Sequence, residues 1–303
     1  MDIYLPIANM SVNALFIVAL GGLVGILSGM FGVGGGFLTT PLLIFYGIPP
    51  SVAVASATTQ ITGASVSGVL AHMRRGGVDF RMGAVMIAGG LVGSAIGAGV
   101  FRLLQTTGQI DTVIGLLYVL LLGSIGSLML RDAAVALGWI KPSESAAPKP
   151  RHNRWVAGLP LRWRFYASGL YLSPIAPFVL GAAAGILTVL LGIGGGFILV
   201  PAMIYLLGMA ARVVVGTSLV MILAVSAATT MIHALTTQSV DIVLAGLLLA
   251  GGVVGAQYGA LLTTRLKPDL LRLSLALIIL LVALRMALGL TYRPDEVFSI
   301  EYL

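Results

Sequence analysis

Cysteine is absent from the 303 residues of this chain, and charged residues are scarce. Without cysteine the chain can form no disulfide, thiolate metal site, iron–sulfur cluster or dithiol redox relay. Charged residues make up 9% of the chain, against roughly 25% in soluble domains, and the mean hydropathy is +1.07. With only ten carboxylates and three histidines, no metal or other cofactor is expected. These shortages exclude a water-soluble protein and indicate an integral membrane protein.

Apolar residues, which are 58% of the chain, fall into ten segments separated by charges, glycine or proline. The segments cover approximately residues 11–30, 37–46, 51–72, 82–104, 112–130, 174–191, 197–207, 213–233, 242–262 and 270–290. Most are near the roughly 20 residues that cross the membrane. At 1.5 Å per residue, the second and seventh reach only about half to two-thirds of that distance. The sequence therefore predicts an all-α polytopic membrane protein of about ten segments, two of them short broken or re-entrant helices.

A basic linker, residues 132–173, separates the fifth and sixth segments. It holds six of the seventeen lysines and arginines, four of the thirteen prolines and all three tryptophans. Arginines beside tryptophans are typical of a segment that lies on the membrane surface. Three regions are predicted: a first transmembrane repeat at 1–131, this cytoplasmic linker, and a second repeat at 174–303. Because no Lys or Arg precedes the first segment, no cleaved signal peptide is expected.

The two halves of the chain are copies of one another. Residues 21–41 match residues 181–201 at ten of 21 positions, and residues 88–98 match residues 250–260 at seven of eleven. His72 corresponds to His233, and Asp79 corresponds to Asp241. Self-similarity of this kind indicates a duplicated five-segment unit.

The positions of the basic residues predict how the two copies are oriented. Because five is an odd number of segments, the second copy is expected to be inverted in the membrane. With the linker inside, fourteen of the seventeen Lys and Arg residues fall on the inner side, where such residues concentrate. The loop after His72 carries Arg74 and Arg75, whereas the loop after His233 carries neither Lys nor Arg. We therefore predict two inverted repeats with both termini periplasmic.

Two glycine-rich loops, residues 32–36 and 192–196, each precede one of the short segments. Such a loop exposes N–H groups at a helix N-terminus, which suits an anion, and inverted-repeat transporters place broken-helix ends near the bilayer midplane. Close helix packing is the alternative explanation for membrane glycines. We favour packing for the four-residue repeats Gly21-Gly25-Gly29, Gly89-Gly93-Gly97 and Gly251-Gly255-Gly259. We favour substrate binding for the loop residues Gly34, Gly35, Gly36, Gly194, Gly195 and Gly196.

Polar side chains within the third and eighth segments are further candidates for the substrate site. Their hydroxyl and amide groups can replace part of the hydration of an anion, although Ser and Thr also bond back to their own helix. Thr217 and Ser218 are interpreted as the repeat mates of Thr58 and Thr59, and Gln60 follows directly. We predict that these five residues complete a substrate shell between the two glycine loops.

The remaining candidates lie at segment ends. His72 and His233 close their segments, where a helix C-terminus favours protonated histidine, and Asp79 and Asp241 open theirs as N-caps do. Proton handling at two gates is the alternative role for these four residues. A serine protease is not expected, because Ser65 and His72 would lie about 10 Å apart along a helix, beyond the roughly 3 Å reach of a nucleophile and its base.

The glycine loops and their flanks resemble the TauE/SafE sulfite-exporter family. The resemblance rests on residues 25–41 with their GxGGGF core, on the second copy at 185–201, on the Gly-Thr-Ser of 216–218, and on the Gly-Gly-x-x-Gly-x-x-x-Gly helices. It covers nearly the whole chain except the linker and the termini. The first copy departs from the pattern, with Ser-Ala-Thr at 56–58 in place of Gly-Thr-Ser.

This resemblance implies a multi-pass transporter of the bacterial cytoplasmic membrane that exports sulfite, an organosulfonate or a related sulfur oxyanion by alternating access. The residues alone indicate an inverted-repeat transporter for a small anion, and not an enzyme. The expected partners are that anion, the lipid bilayer and a second copy in a homodimer. No nucleic acid is expected, because the basic residues follow membrane topology. A different small anion, or a non-transporting membrane assembly protein, are the alternatives.

Overall fold

The computed structural model describes residues 2–31, 36–74, 76–139, 160, 162–263 and 268–291. This part of the chain contains ten α-helices. They are α1 Ala14–Phe31, α2 Gly36–Phe45, α3 Pro50–Arg74, α4 Phe80–Thr106, α5 Ile110–Ala136, α6 Ile175–Leu191, α7 Gly196–Tyr205, α8 Ala211–Ile232, α9 Ile242–Thr263 and α10 Pro268–Thr291. A π-helical turn, His233–Thr237, continues α8.

Several of the described helices are suited to a membrane. By length and composition, five could cross one: Phe80–Thr106, Ile110–Val135, Val213–Thr237, Ile242–Gly259 and Leu273–Thr291. Four shorter helices are also apolar, among them α2 and α7, at ten residues each. The structure therefore supports a multi-pass helical membrane protein, and ten full crossings stay a prediction.

The helices pack mainly in pairs that join the two halves of the chain. The most extensive contacts are between α1 and α9, between α4 and α6, between α5 and α10, and between α3 and α8. Within the first two pairs the helices run parallel. The repeat mates α3 and α8 run antiparallel, because Thr59 lies against Thr230 and Thr62 lies against Ser226. Phe37 of α2 stacks on its repeat mate Phe197 of α7, with ring centroids 4.5 Å apart.

Glycine allows the parallel pairs to approach backbone to backbone, as predicted. A Cβ atom on Gly93 of α4 would lie 2.0 Å from the carbonyl oxygen of Ala182 in α6. A Cβ atom on Gly25 of α1 would lie 2.3 Å from the carbonyl oxygen of Gly252 in α9. Other glycines of the four-residue repeats make equally close approaches: Gly21, Gly29, Gly89, Gly251, Gly255 and Gly259. The packing role of these repeats is confirmed.

Each half begins with a short β-hairpin that the sequence analysis did not predict. Strands β1 (Asp2–Leu5) and β2 (Met10–Asn13) pair antiparallel, as do β3 (Trp163–Phe165) and β4 (Leu170–Leu172). The strands are only three or four residues long, so they carry little of the alternation that identifies a strand. The second hairpin lies within the predicted linker, 160 residues after the first. The repeated unit therefore extends upstream of α1 and α6.

Some predicted features fall outside the described residues. They include Gly34, Gly35, and most of the linker, with Trp155. Of the other two tryptophans, Trp139 follows α5 and is exposed, and Trp163 is in β3.

Candidate functional site

The second glycine loop is buried at the centre of the protein and lies against the start of the second short helix. Gly192, Gly194 and Gly195 have positive φ angles of 67°, 69° and 73°, which side chains other than glycine rarely adopt. Gly195 is the N-cap of α7 and supplies no side-chain acceptor to the first-turn N–H groups. Just before the loop, the hydroxyl of buried Tyr118 in α5 donates to the carbonyl oxygen of Leu191.

Gly36, the last residue of the first glycine loop, lies against the second loop. Gly36, the first residue of α2, is buried, and a Cβ atom there would lie 2.7 Å from the carbonyl oxygen of Gly192 and 2.1 Å from Cδ1 of Ile61. Ile61 also lies against Gly194. The structure thus places the start of α2 against the second loop, with α3 beside both.

A cavity of about 190 Å³ lies next to this junction, between α1 and α3 of the first half and α8 and α9 of the second. Its lining is mostly small or apolar, with four polar side chains: Ser28, Gln60, Ser65 and His72. Gln60 is 5% exposed, and its Nε2 donates to the carbonyl oxygen of Leu248 at 3.3 Å. Its Oε1 is buried and has no hydrogen-bond partner. A buried amide oxygen without a partner is unusual in a folded protein.

The predicted hydroxyls are engaged within the protein in this structure. Thr58 donates to the carbonyl oxygen of Val54 at 2.8 Å, and Thr59 donates to that of Ala55 at 3.0 Å. Ser218 likewise donates to Val215, at 3.0 Å. These are the bonds back to the helix that the sequence analysis named as the alternative.

Thr58 and Thr217 do not lie in one shell. Because α3 and α8 run antiparallel, with Thr59 facing Thr230 and Gly68 facing Leu219, the two threonines lie near opposite ends of the helix pair. At 1.5 Å per residue they are about 20 Å apart along its axis. The arrangement of Thr58, Thr59, Thr217 and Ser218 around one ion is therefore corrected. Of the five residues predicted to complete the substrate shell, Gln60 alone lines the cavity.

The structure also changes the repeat mate of Thr217. Thr217 Oγ1 accepts the backbone N–H of Asp79 at 2.9 Å, and Ser56 Oγ accepts the backbone N–H of Asp241 at 3.2 Å. Ser56 therefore occupies the position equivalent to Thr217, and Thr58 does not. Pairing Thr58 with Thr217 shifts the chain by 159 residues, whereas pairing Ser56 with Thr217 shifts it by 161, the same shift that relates His72 to His233.

Asp79 and Asp241 are N-caps, which was one of the two roles that the sequence analysis considered for them. Asp79 Oδ1 accepts the N–H groups of Arg81 and Met82, and Asp241 Oδ1 accepts that of Leu244. Each also binds a hairpin from the other half of the chain. Asp79 Oδ2 accepts the backbone N–H of Ser168 at 3.0 Å, and Asp241 Oδ2 accepts that of Ile7 at 3.1 Å.

The two repeat-related histidines have different surroundings. His233 is fully buried, with Nε2 3.1 Å from the carbonyl oxygen of Val189 and Nδ1 3.3 Å from Thr237 Oγ1. Its ring meets Phe101 edge to face. His72 is half-buried and lines the cavity. The structure therefore ties His233 into the helix packing and leaves His72 beside the candidate site.

Comparison with known proteins identifies the family. The family model for the sulfite exporter TauE/SafE matches residues 17–286. The chain belongs to the TauE/SafE family. It is 30% identical over 280 residues to a probable membrane transporter protein of Xylella fastidiosa, covering 91% of this chain and 95% of that protein. It is 31% identical over 273 residues to the probable membrane transporter protein YjnA of Bacillus subtilis, covering 89% of this chain and 98% of that protein. No solved structure matches the chain significantly.

The TauE/SafE assignment makes the protein a membrane transporter, with the cavity as its candidate site. Within the described residues, no three His, Asp or Glu side chains group as a metal site would require. The sequence analysis did not identify the cavity, because it is formed by small residues of four helices. One signal pointed to it: Gln60 stands where the second repeat has Met221, once the helices are aligned on His72 and His233.

Proposed function

We propose that this TauE/SafE transporter exports sulfite or an organosulfonate from the cytoplasm by alternating access. The observation that carries the proposal is the cavity beside the glycine loops. Helices of both halves line it, so a relative movement of the halves would change its shape and access. Transporters built from repeats place their substrate sites at such an interface.

The corresponding region of the other half is filled by apolar side chains. A Cβ atom on Gly90 would lie 2.4 Å from Val225 Cγ2 and 2.9 Å from Met221 Cε. Its repeat mate Gly252 lies beside Gln60 instead, where an added Cβ atom would be 2.9 Å from Nε2. The two related regions therefore differ in packing, and the space lies beside Gln60.

Inversion of the repeats is part of the proposal, and two observations support it. The repeat mates α3 and α8 run antiparallel, as an inverted pair must. Asp79 and the hairpin at Ser168 lie at one end of this pair, and Asp241 and the hairpin at Ile7 lie at the other. With the positive charges inside, the Asp79 end is cytoplasmic and both termini are periplasmic. The proposal places the protein in the inner membrane, as a homodimer.

The proposed anion site lies between the glycine loops and the cavity. Helix N-termini offer roughly half a positive charge each, and α2 and α7 begin at Gly36 and Gly196. The N–H groups of Gly34, Gly35, Gly36, Gly194, Gly195 and Gly196 are proposed to bind the anion. Thr58, Thr59 and Gln60 on α3 are proposed as hydrogen-bonding groups of this site. Thr217 and Ser218 are proposed to act at the cytoplasmic end of the route. Such groups hold an anion without an unpaired arginine, so release stays fast.

The direction of transport follows from the membrane potential. An anion that leaves a negative-inside cell gains about 2.3 kcal/mol per charge per 100 mV. Export therefore needs no coupling ion.

Flux in proteoliposomes tests this function. Sulfite, sulfate, thiosulfate and sulfonates are loaded singly, and efflux is measured with and without an imposed potential. We expect sulfite or a sulfonate to leave faster than sulfate, and faster still when the interior is negative. If no anion moves, and none raises the melting temperature, the protein is not an anion transporter.

Substitution of Thr58 tests the site. Thr58→Val keeps the shape of the side chain and removes its hydroxyl. We expect weaker binding of the transported anion by about 1 kcal/mol, the usual value of one hydrogen bond, measured by titration of the purified protein. Unchanged affinity would remove Thr58 from the site.

A further inference from the structure

The unpartnered carbonyl oxygen of Gln60 carries a specific inference about the ligand, which rests on the proposed function. Oxyanions that are fully deprotonated have only acceptor atoms, and they cannot satisfy a carbonyl oxygen. We propose that the cavity selects a small oxyanion that also carries a hydrogen-bond donor, an O–H group, and that Gln60 Oε1 accepts it.

The hydrogen bond that Gln60 makes fixes which way its side-chain amide is oriented. Its Nε2 donates to the carbonyl oxygen of Leu248. A side-chain amide has two donors and one acceptor oxygen. Rotating the amide by a half-turn would place Oε1 against the Leu248 carbonyl oxygen, where two acceptors would repel. Leu248 therefore fixes the orientation of the amide, and Oε1 is the atom left to be satisfied.

The position is particular to the first repeat. The equivalent residue of the second repeat is Met221, which is fully buried in the apolar core, and Ala64 corresponds to Val225. Were the cavity a packing defect of the fold, the same defect would be expected in both halves. Instead one half holds a space with a polar amide, and the other fills the space with apolar side chains.

The size and the other polar groups of the cavity fit such a ligand. A cavity of roughly 150 Å³ accepts benzene, so this one, at about 190 Å³, is large enough for hydrogensulfite or a short hydroxyalkanesulfonate. Ser28, Ser65 and His72 lie in its wall and supply groups able to donate to the anionic oxygens. Both ligands share the same chemistry, an anionic S–O group with an O–H group.

Two sulfonates of similar shape test the inference. Hydroxyethanesulfonate has the O–H group, and ethanesulfonate lacks it. In the parent protein we expect hydroxyethanesulfonate to bind about fivefold to tenfold more tightly, the effect of one hydrogen bond, and to exchange faster in proteoliposomes. Sulfite is measured in a third arm, so that binding of an inorganic oxyanion can be compared with binding of an organic sulfonate. Equal affinity for the two sulfonates would overturn the inference, while transport of either would leave the proposed function intact.

Variants at Gln60 assign the effect to its amide. Gln60→Leu keeps the approximate shape and removes the acceptor, so the preference for hydroxyethanesulfonate should fall to about onefold while ethanesulfonate binding persists. Gln60→Met places the residue of the second repeat there and should do the same. Met221→Leu, at the equivalent position of the other half, is the matched control and should keep the preference. If both Gln60 variants still prefer hydroxyethanesulfonate over ethanesulfonate, a group other than the Gln60 amide accepts the O–H hydrogen bond.

Discussion

At the scale of single residues, the Ser and Thr hydroxyls of α3 and α8 make different hydrogen bonds, although the residues look alike in the sequence. Thr58 and Thr59 satisfy carbonyl oxygens of their own helix. Thr217 and Ser56 instead accept buried N–H groups at the first residues before α4 and α9. Removing the first kind leaves a carbonyl oxygen that keeps its helical bond, whereas removing the second kind leaves a buried N–H with no acceptor.

This difference predicts losses of stability of different size. Thr217→Val should lower the free energy of unfolding by about 1–3 kcal/mol, the cost of an unsatisfied buried donor. Ser56→Ala, its structural equivalent, should behave in the same way. Thr58→Val is the matched control and should cost less than about 1 kcal/mol. Chemical unfolding in detergent measures all three, and a Thr58 variant as unstable as the Thr217 variant would contradict the assignment.

At the scale of helices and hairpins, glycine decides which helices form pairs. The α4–α6 pair depends on Gly89 and Gly93, whose missing side chains let carbonyl oxygens of α6 come within contact distance. Lipid gives no hydrophobic force between helices, so this close packing is a main source of their association.

One helix contains both a test residue and its control. Gly93→Ala would put a Cβ atom 2.0 Å from a backbone oxygen, which cannot rotate away, so we expect a loss of stability of about 2 kcal/mol or more. Gly99→Ala is on the same helix, exposed, with nothing within 4 Å of the added atom. It should be neutral or stabilising by up to about 1 kcal/mol, because Ala favours helix. Thermal unfolding should separate the two variants, and similar melting temperatures would contradict the packing.

The hairpins act as links between the halves. Asp79 of the first half holds the second hairpin, and Asp241 of the second half holds the first. Sequence analysis recognised the two aspartates as caps. It did not recognise this second role, because the partner is a backbone N–H group more than 80 residues away, which no side-chain pattern marks.

At the scale of the whole molecule, topology depends on where the basic residues lie relative to the membrane. The structure brings two of the predicted inner arginines together, since Arg81 Nη1 donates to the carbonyl oxygen of Arg164 at 3.2 Å. The loop before α4 and the second hairpin are therefore on the same side, as the inward assignment of both requires.

Single cysteines in this cysteine-free chain test the topology. Ser143→Cys, in the linker, should react with a membrane-impermeant thiol reagent only after the cells are opened. Ser299→Cys, near the C-terminus, should react in intact spheroplasts. The charge bias of the loops is the physical reason for both expectations. The reverse labelling pattern at either position would contradict the proposed orientation of the protein in the membrane.

The sequence by itself determined the features that depend on local composition. Scarce charge and long apolar runs identify a membrane protein, because lipid accepts little else. The duplication, the four-residue glycine repeats and the caps at Asp79 and Asp241 could be predicted for the same reason. Each depends on residue type and spacing within one segment. The broken helices at the glycine loops were readable as well.

Only the tertiary structure decided which residues share a site. Thr58 and Thr217 look equivalent in the sequence, but the antiparallel packing of α3 and α8 puts them near opposite ends of the pair. Gln60 is a candidate site residue because it lines a cavity formed by residues of four helices. The depth of a residue in the membrane, and the helix that its side chain faces, depend on how helices from distant parts of the chain pack. That packing is set by the sum of many contacts rather than by any one motif.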